Sequence, residues 1–521
     1  MIKKTIRRRN FWIGIFLVIL ATGILATVGF FLAQKYSQPP SLAKLLPNEE
    51  TLLFAELRLD EETPQLAQLF AGIPNSQILE LENLGLNNDT EALLAFAKNR
   101  IGVAFFGENV DSQNFALILD FVERDEVLEF FEKQTLADEE LKTQNFLHQK
   151  IYYFPRSHPL AFMFVGQDLI LGSDLKILQK IATAIHVPEK RVANGEDFRA
   201  VIAKLNPRAN FVYFSPRFAN AFFDNRFAGM ERVFATPLLN LWSGGGTNFA
   251  ANNDGLKIQT RLILKNNFVR RPLFLETKNF DLKLLNFFGE ETHNFFASNQ
   301  LNSQLTHFLK ATANENSPLF ALTKSWLGQN VWTWLGENFT TADLSPLWEK
   351  ASIVGVSTSG GLIGIFEGEF DQLLEKLKTA SGKLAATEKI VELPDTTPGR
   401  ELVVENSSTV EENLFASHKI TRLKFPNYEL NFTKLGNFLV ITSERDVLEK
   451  IIAHFVAEEK VFGNLIETSE ITGGNIFYSR IENSEVPLLQ PFLFAVTGVN
   501  TETDGVKIDS FLGKGNILPN V

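Results

Sequence analysis

The chain has 521 residues, 45% of them hydrophobic and 21% charged, which excludes wholesale disorder and leaves room for two to four domains of about 150 residues. It has no cysteine, so disulfides, thiolate nucleophiles and cysteine-ligated zinc or iron–sulfur sites are excluded. After the first 33 residues, 45 basic side chains face 61 acidic ones, a balance of −16 that repels phosphate backbones and argues against nucleic acid as a partner.

Residues 1–10 carry Lys3, Lys4, Arg7, Arg8 and Arg9 and read as a basic tail on the cytoplasmic side. Phe11 to Ala33 is an uncharged run of 23 residues. At about 1.5 Å per residue a helix of that length crosses a hydrocarbon core about 30 Å thick, so the run predicts one transmembrane helix and an extracytoplasmic body. A cleaved signal peptide is the rival reading, but the run is long for one, and a cut after Ala33 puts bulky Phe31 where a small residue is wanted. Residues 34–46 read as a spacer that Pro39 and Pro40 hold extended. No second span is predicted, because Val486 to Val499 is only 14 residues and is broken by Gln490 and Pro491.

The body reads as two tandem, duplicated α+β units with largely antiparallel sheets, 47–270 and 271–521. Glu49-Glu50-Thr51 ahead of Phe54 recurs as Glu290-Glu291-Thr292 ahead of Phe295, and Ile101-Gly102-Val103 as Val354-Gly355-Val356. Apolar strands at 115–121 and 362–366 each precede an acidic amphipathic helix, at 125–133 and 370–378. The clearest match aligns 166–181 with 436–451 without a gap, at an offset of 270. There Leu178, Ile181, Ala182 and Ile185 match Leu448, Ile451, Ile452 and Phe455, one buried helical stripe written twice. Ser173 and Ser443 stand where helix N-caps are expected. Strand 209–215 recurs as 474–480, and Asp254-Gly255 as Asp504-Gly505, each Asp-Gly predicting a closing hairpin. In the opening strand, Leu53, Ala55, Leu57 and Leu59 are expected on the core face, with Glu56 and Arg58 on the wet one.

No catalytic constellation emerges, and no cofactor or metal is implied. The small-residue run from Gly355 to Gly360 lacks the nucleophile-elbow pattern and reads as a turn. The seven histidines are scattered without metal-ligand spacing. The unusual feature is 48 phenylalanines against six tyrosines and six tryptophans. Two dense groups stand out: Phe218, Phe222, Phe223 and Phe227, and Trp326, Trp332 and Trp334. Packing between the units is the plain reading of both; the functional one is a lipid-facing or ligand-holding apolar groove for the first and a sugar-stacking or membrane-dipping patch for the second.

The basic start, single span, proline-bearing spacer, "LLPNEETLLFAEL" opening at Leu45 to Leu57 and "GQDLILGSD" block resemble the bacterial family catalogued as domain of unknown function 3352. The resemblance implies an envelope setting at the inner membrane, N-terminus inside, and supplies no functional residues. Two functions are expected: from the anchor and the missing catalytic motifs, a non-enzymatic envelope binding or scaffold protein; from the phenylalanine-rich stretch, a hydrophobic-ligand or lipid-binding one, with an envelope hydrolase as a lesser variant.

Overall fold

The computed structural model describes residues 41–59, 95–107, 114–120, 122–133, 141–154, 161–206, 210–218, 241–265, 274–289, 291–313, 344–384, 386–394, 397–404, 410–425, 428–457, 462, 465, 469–481, 489 and 491–514. Among them no helix is long and apolar enough to cross a membrane; the predicted span at 11–33 lies outside the described residues.

The first half contains β1 (Thr51–Arg58), β2 (Arg100–Phe106), β3 (Phe115–Leu119), α1 (Arg124–Lys133), β4 (Lys142–Phe146), β5 (Gln149–Tyr153), β6 (Ala161–Val165), β7 (Asp168–Gly172), α2 (Leu175–His186), α3 (Glu196–Ile202), β8 (Asn210–Phe214), β9 (Trp242–Asn252) and β10 (Gly255–Leu264). Pairing gives the order β4-β5-β6-β7-β3-β2-β1-β8-β9-β10, antiparallel throughout. The second half contains β11 (Thr292–Ser298), α4 (Leu301–Ala313), β12 (Ser352–Ser357), β13 (Leu362–Glu367), α5 (Asp371–Leu384), a separate hairpin of β14 (Ala386–Glu392) and β15 (Pro398–Val404), β16 (Val410–Phe415), β17 (His418–Lys424), β18 (Glu429–Leu435), β19 (Phe438–Thr442), α6 (Arg445–Ala457), β20 (Asn475–Arg480), β21 (Phe494–Glu502) and β22 (Gly505–Gly513). Its order, β16-β17-β18-β19-β13-β12-β11-β20-β21-β22, matches that of the first half strand for strand. β10 pairs with β22, so among the described residues one antiparallel sheet of 20 strands runs from one half into the other, a mixed α+β architecture with few helices.

Local chemistry repeats with the order. A bulge follows Thr51 in β1 and Thr292 in β11, where an extra residue kinks the strand. The β4–β5 and β16–β17 hairpins turn through left-handed pairs, Leu147-His148 at φ 46° and 65° and Ala416-Ser417 at 46° and 66°, the turn whose twist matches that of the strands. Ser173 and Ser443, expected as N-caps, do something else. Ser173 Oγ accepts from the Phe115 amide at 3.1 Å and Ser443 Oγ from the Leu362 amide at 2.8 Å, each tying the end of one strand to the next. Asp174 caps α2 instead, accepting from the Lys176 amide.

The seam has local two-fold symmetry. Gly255 pairs with Gly513 and Ile263 with Gly505, centred on Gln259 opposite Asp509, where the amide of Gln259 donates to the carboxylate at 3.0 Å. Such an axis stands perpendicular to the sheet and places corresponding helices on one side. On this helical face α2, α3 and the turn Leu42–Leu45 cover Phe54, Ala104, Ile118, Ile170 and Tyr213, while α6 and the turn Leu282–Phe287 cover Phe295, Ile353, Ile363, Val440 and Tyr478. Leu178 and Leu448 are fully buried there, so truncating either to alanine costs about 2–5 kcal/mol.

Three further expectations are corrected. Leu42, Ala43, Leu45 and Leu46, placed in the spacer by sequence, are packed into the first core. In β1, past the bulge, the fully covered side chains are Phe54 and Glu56, while Leu53, Ala55 and Leu57 are half-buried on the other face; Thr51 and Leu52, at the bulge, are both covered. Alternation misassigned the faces because both are apolar and because Glu56 is buried with partners. Finally, Phe54 pairs with Ala104 as Phe295 pairs with Gly355, so Ala104, not Gly102, corresponds to Gly355.

Candidate functional site

The face opposite the helices is unusual in its chemistry. Antiparallel sheets commonly pack one face and wet the other, and the wet face is polar. Here the open face from β3 through β2, β1, β8, β9, β10, β22, β21, β20, β11 and β12 to β13 carries no charged strand side chain among the described residues. At the seam it presents Leu256, Ile258, Thr260, Leu262, Val506, Ile508, Ser510 and Leu512. The helical face of the same two strands carries Lys257, Arg261, Lys507 and Asp509, and ion pairs bridge the halves there: Lys204 to Asp504 at 2.5 Å, Arg261 to Glu502 at 2.8 Å and Lys257 to Glu470 at 2.6 Å. Near the ends of the sheet α1 covers Phe115, Leu117 and Phe162 of the open face, and α5 covers Phe366, Phe432 and Leu439.

Between those covers, the second half has a groove of about 510 Å³ on β13, β12, β11, β20 and β21. That volume falls within the range that holds a small ligand. Pairing orders its floor into two rows across the strands. One runs Leu362, Val356, Asn294, Ser479, Ala495, and the next Gly364, Val354, Phe296, Phe477, Thr497. Phe296 and Phe477 pack as a tilted pair with centroids 4.7 Å apart, yet Phe477 is 44% and Leu362 59% exposed. Large apolar groups left exposed and contiguous mark binding surfaces. Toward the seam, Thr497 and Ser510 hydroxyls pair at 2.9 Å, as Thr247 and Thr260 do at 2.9 Å in the first half.

The groove has a physical origin in side-chain size. At the positions of Leu362, Val356, Asn294 and Ser479, the first half carries Phe115, Phe105, Leu53 and Phe214. Three rings are absent from that row in the second half, and the Phe296–Phe477 shelf beside it replaces Ala55 and Val212.

Of the residues singled out by sequence, Phe218 follows β8 and packs its ring 5.7 Å from Phe214 on the open face of the first half. Phe222, Phe223, Phe227, Trp326, Trp332 and Trp334 lie outside the described residues. The groove residues were missed by the sequence reading. Their signal was present, however: Phe477 and Ser479 alternate with core residues Ile476 and Tyr478, which makes both faces of β20 candidates for burial.

A second cluster is confined to the first half. Glu56, 1% exposed, accepts from Ser41 Oγ at 2.7 Å and from the Leu42 amide at 2.9 Å, and meets Arg100 at 3.4 Å. Arg100 Nε donates to Asp120 at 2.8 Å. Burial raises the Asp120 carboxyl, but the hydrogen bond from Arg100, aided by Asp168 and the charges of Arg100 and Lys44, outweighs it and holds the group below its ordinary value. In the second half the same places hold Ala297, Ala351, Glu367 and Phe438. The buried cation and the Glu56 carboxylate of the first half are thus replaced by two alanines in the second, which keeps a carboxylate only at the half-buried Glu367, as expected when ion pairing barely offsets desolvation. The network pins residues 41 and 42 to the sheet.

Neither cluster arranges reactive groups. Ser357 Oγ lies 2.8 Å from Ser359 Oγ and accepts from the Gly361 amide at 2.8 Å, and both hydroxyls face Glu444, which organises the β12–β13 turn. Among the described residues no group of His, Asp and Glu is placed to hold a metal ion.

No family model matches the chain, and no curated protein matches it. Among solved structures, crystal form I of TP0453 is similar over 44% of this chain and 79% of its own length, at 11% identity and a TM-score of 0.24. Crystal form III of TP0453 is similar over 47% of this chain and 91% of its own, at 10% identity and a TM-score of 0.24. Likenesses of this size carry no inference about function.

Proposed function

We propose that the protein is a non-enzymatic binding protein of the bacterial envelope, tethered by residues 11–33 and built from a duplicated α+β unit, and that it seats an acyl chain on the uncharged sheet face. The observation that carries this is the groove of about 510 Å³ whose floor includes Phe296, Phe477, Val354, Val356 and Leu362 with no charged side chain. An acyl chain gains from such a floor about 25 cal/mol for each Å² of apolar surface removed from water. A bilayer beside the tether supplies the ligand, and the resemblance to the envelope family fits that setting.

The test uses the full chain purified in detergent and a diazirine-bearing fatty acid. Saturable labelling of peptides containing Phe296 and Phe477, diminished by Phe477→Asp, is expected. Labelling spread over the surface without saturation refutes the assignment. The openness of the groove, with Leu362 59% exposed, supports a second reading in which the face docks an apolar side chain of an envelope protein. Under that reading crosslinking in cells yields a protein adduct at Phe477 and the fatty acid fails to compete.

A further inference from the structure

The groove also contains a polar pair, which bears on what kind of amphiphile it takes. Asn294 and Ser479 face each other directly across β11 and β20 on the open face. Their neighbours in the row are Leu362 and Val356 on one side and Ala495 on the other. In the first half the corresponding pair is Leu53 opposite Phe214, so within the groove this pair is polar where the first half is apolar, while the positions of Val354 and Thr497 kept Val103 and Thr247. The Asn294 side chain makes no hydrogen bond among the described residues, leaving an amide with two donors and an acceptor beside apolar surface. Ser479 Oγ donates only to the carbonyl of the adjacent Arg480, at 3.2 Å, and keeps its lone pairs. No Lys, Arg or His lines the groove.

We infer that the groove selects a neutral amphiphile, an apolar chain joined to an uncharged ester, amide or hydroxyl group, with Asn294 and Ser479 holding that group and the Phe296–Phe477 shelf holding the chain. The inference rests on the proposed acyl-chain function and adds selectivity to it. A phosphate or carboxylate drawn into this row loses hydration and meets no cation, which disfavours it. An ester carbonyl or hydroxyl instead meets a donor and an acceptor, and two such bonds are worth about a tenfold preference over a bare hydrocarbon.

The test is displacement of a diazirine-alkane probe from the full chain by three competitors of equal chain length: a hydrocarbon, a fatty acid at neutral pH and a monoacylglycerol. Wild type is expected to prefer the monoacylglycerol by about tenfold over the other two. Asn294→Leu, which installs the first-half residue, and Ser479→Ala, which opens space, should each reduce that preference, read as the ratio of monoacylglycerol to hydrocarbon displacement. An unchanged melting temperature shows that the variants keep the fold. Equal binding of all three competitors to wild type, or a preference surviving in the Asn294→Leu/Ser479→Ala double variant, overturns the selectivity and leaves the acyl-chain function standing. Failure of wild type to take up the alkane probe overturns both.

Discussion

Arg100→Met is the perturbation that probes the first-half ionic cluster most directly. Methionine keeps length and apolar bulk but removes the cation that stands 3.4 Å from Glu56 and 2.8 Å from Asp120. With an effective dielectric constant of about 20, a unit pair at the Glu56 distance interacts by about 5 kcal/mol. Two nearly buried carboxylates are then left without their cation, and breaking one partner of a buried pair costs about 3–5 kcal/mol. Urea unfolding followed by circular dichroism at constant ionic strength measures the loss. The cost depends on pH in a defined direction. In wild type the Asp120 carboxyl is lowered on folding, so its contribution is present above the unfolded value of about 4 and fades as pH falls through the lower folded value. In the variant the burial that raises the Asp120 carboxyl is no longer opposed by Arg100, so the deficit is largest near about pH 7 and shrinks as acid protonates that group. Glu56→Ala combined with Arg100→Ala, which recreates Ala297 and Ala351 of the second half, should cost less than Arg100→Met alone. A loss under about 1 kcal/mol for Arg100→Met, or one that does not change with pH, refutes the assignment.

Other expectations follow from single contacts. Ser173→Ala should cost about 1–2 kcal/mol and Ser443→Ala about half that, since the Phe115 amide is buried while Leu362 is 59% exposed; equal costs in thermal unfolding count against the assigned bonds. Gln259→Asp places like charges directly opposite each other at the seam and should lower stability by about 0.5–1 kcal/mol, with recovery in high salt; a salt-independent melting temperature contradicts the pairing. Phe477→Ala should leave the melting temperature nearly unchanged, because the ring is 44% exposed, yet weaken an apolar probe several-fold; a large loss of stability with intact binding reverses the assignment.

What sequence made legible was local and repeated. The stretches 166–181 and 436–451 lie in the same strand-to-helix step of each half, because a strand, a tight turn at Gly166 or Gly436 and an amphipathic helix each leave a strong pattern. The Asp254-Gly255 and Asp504-Gly505 turns join β9 to β10 and β21 to β22, as turn chemistry demands. Faces were harder. Period-two alternation identifies a face only when the other is polar, and with Leu53, Phe54 and Ala55 adjacent in β1 nothing local separates core from open side. Glu56 misled for a related reason: its partners Arg100 and Ser41 are remote in sequence, so its burial was invisible. The groove depends on the relative bulk of side chains that meet only after five strands have aligned, which no window along the chain can display.

The seam between β10 and β22 is made chiefly of main-chain hydrogen bonds, which every residue except proline supplies alike. Natural variation is therefore free to rewrite what projects above and below the join while the join itself persists. That tolerance gives a physical route by which one lobe came to keep salt-linked residues behind its first strand, while the other acquired a shallow oily channel.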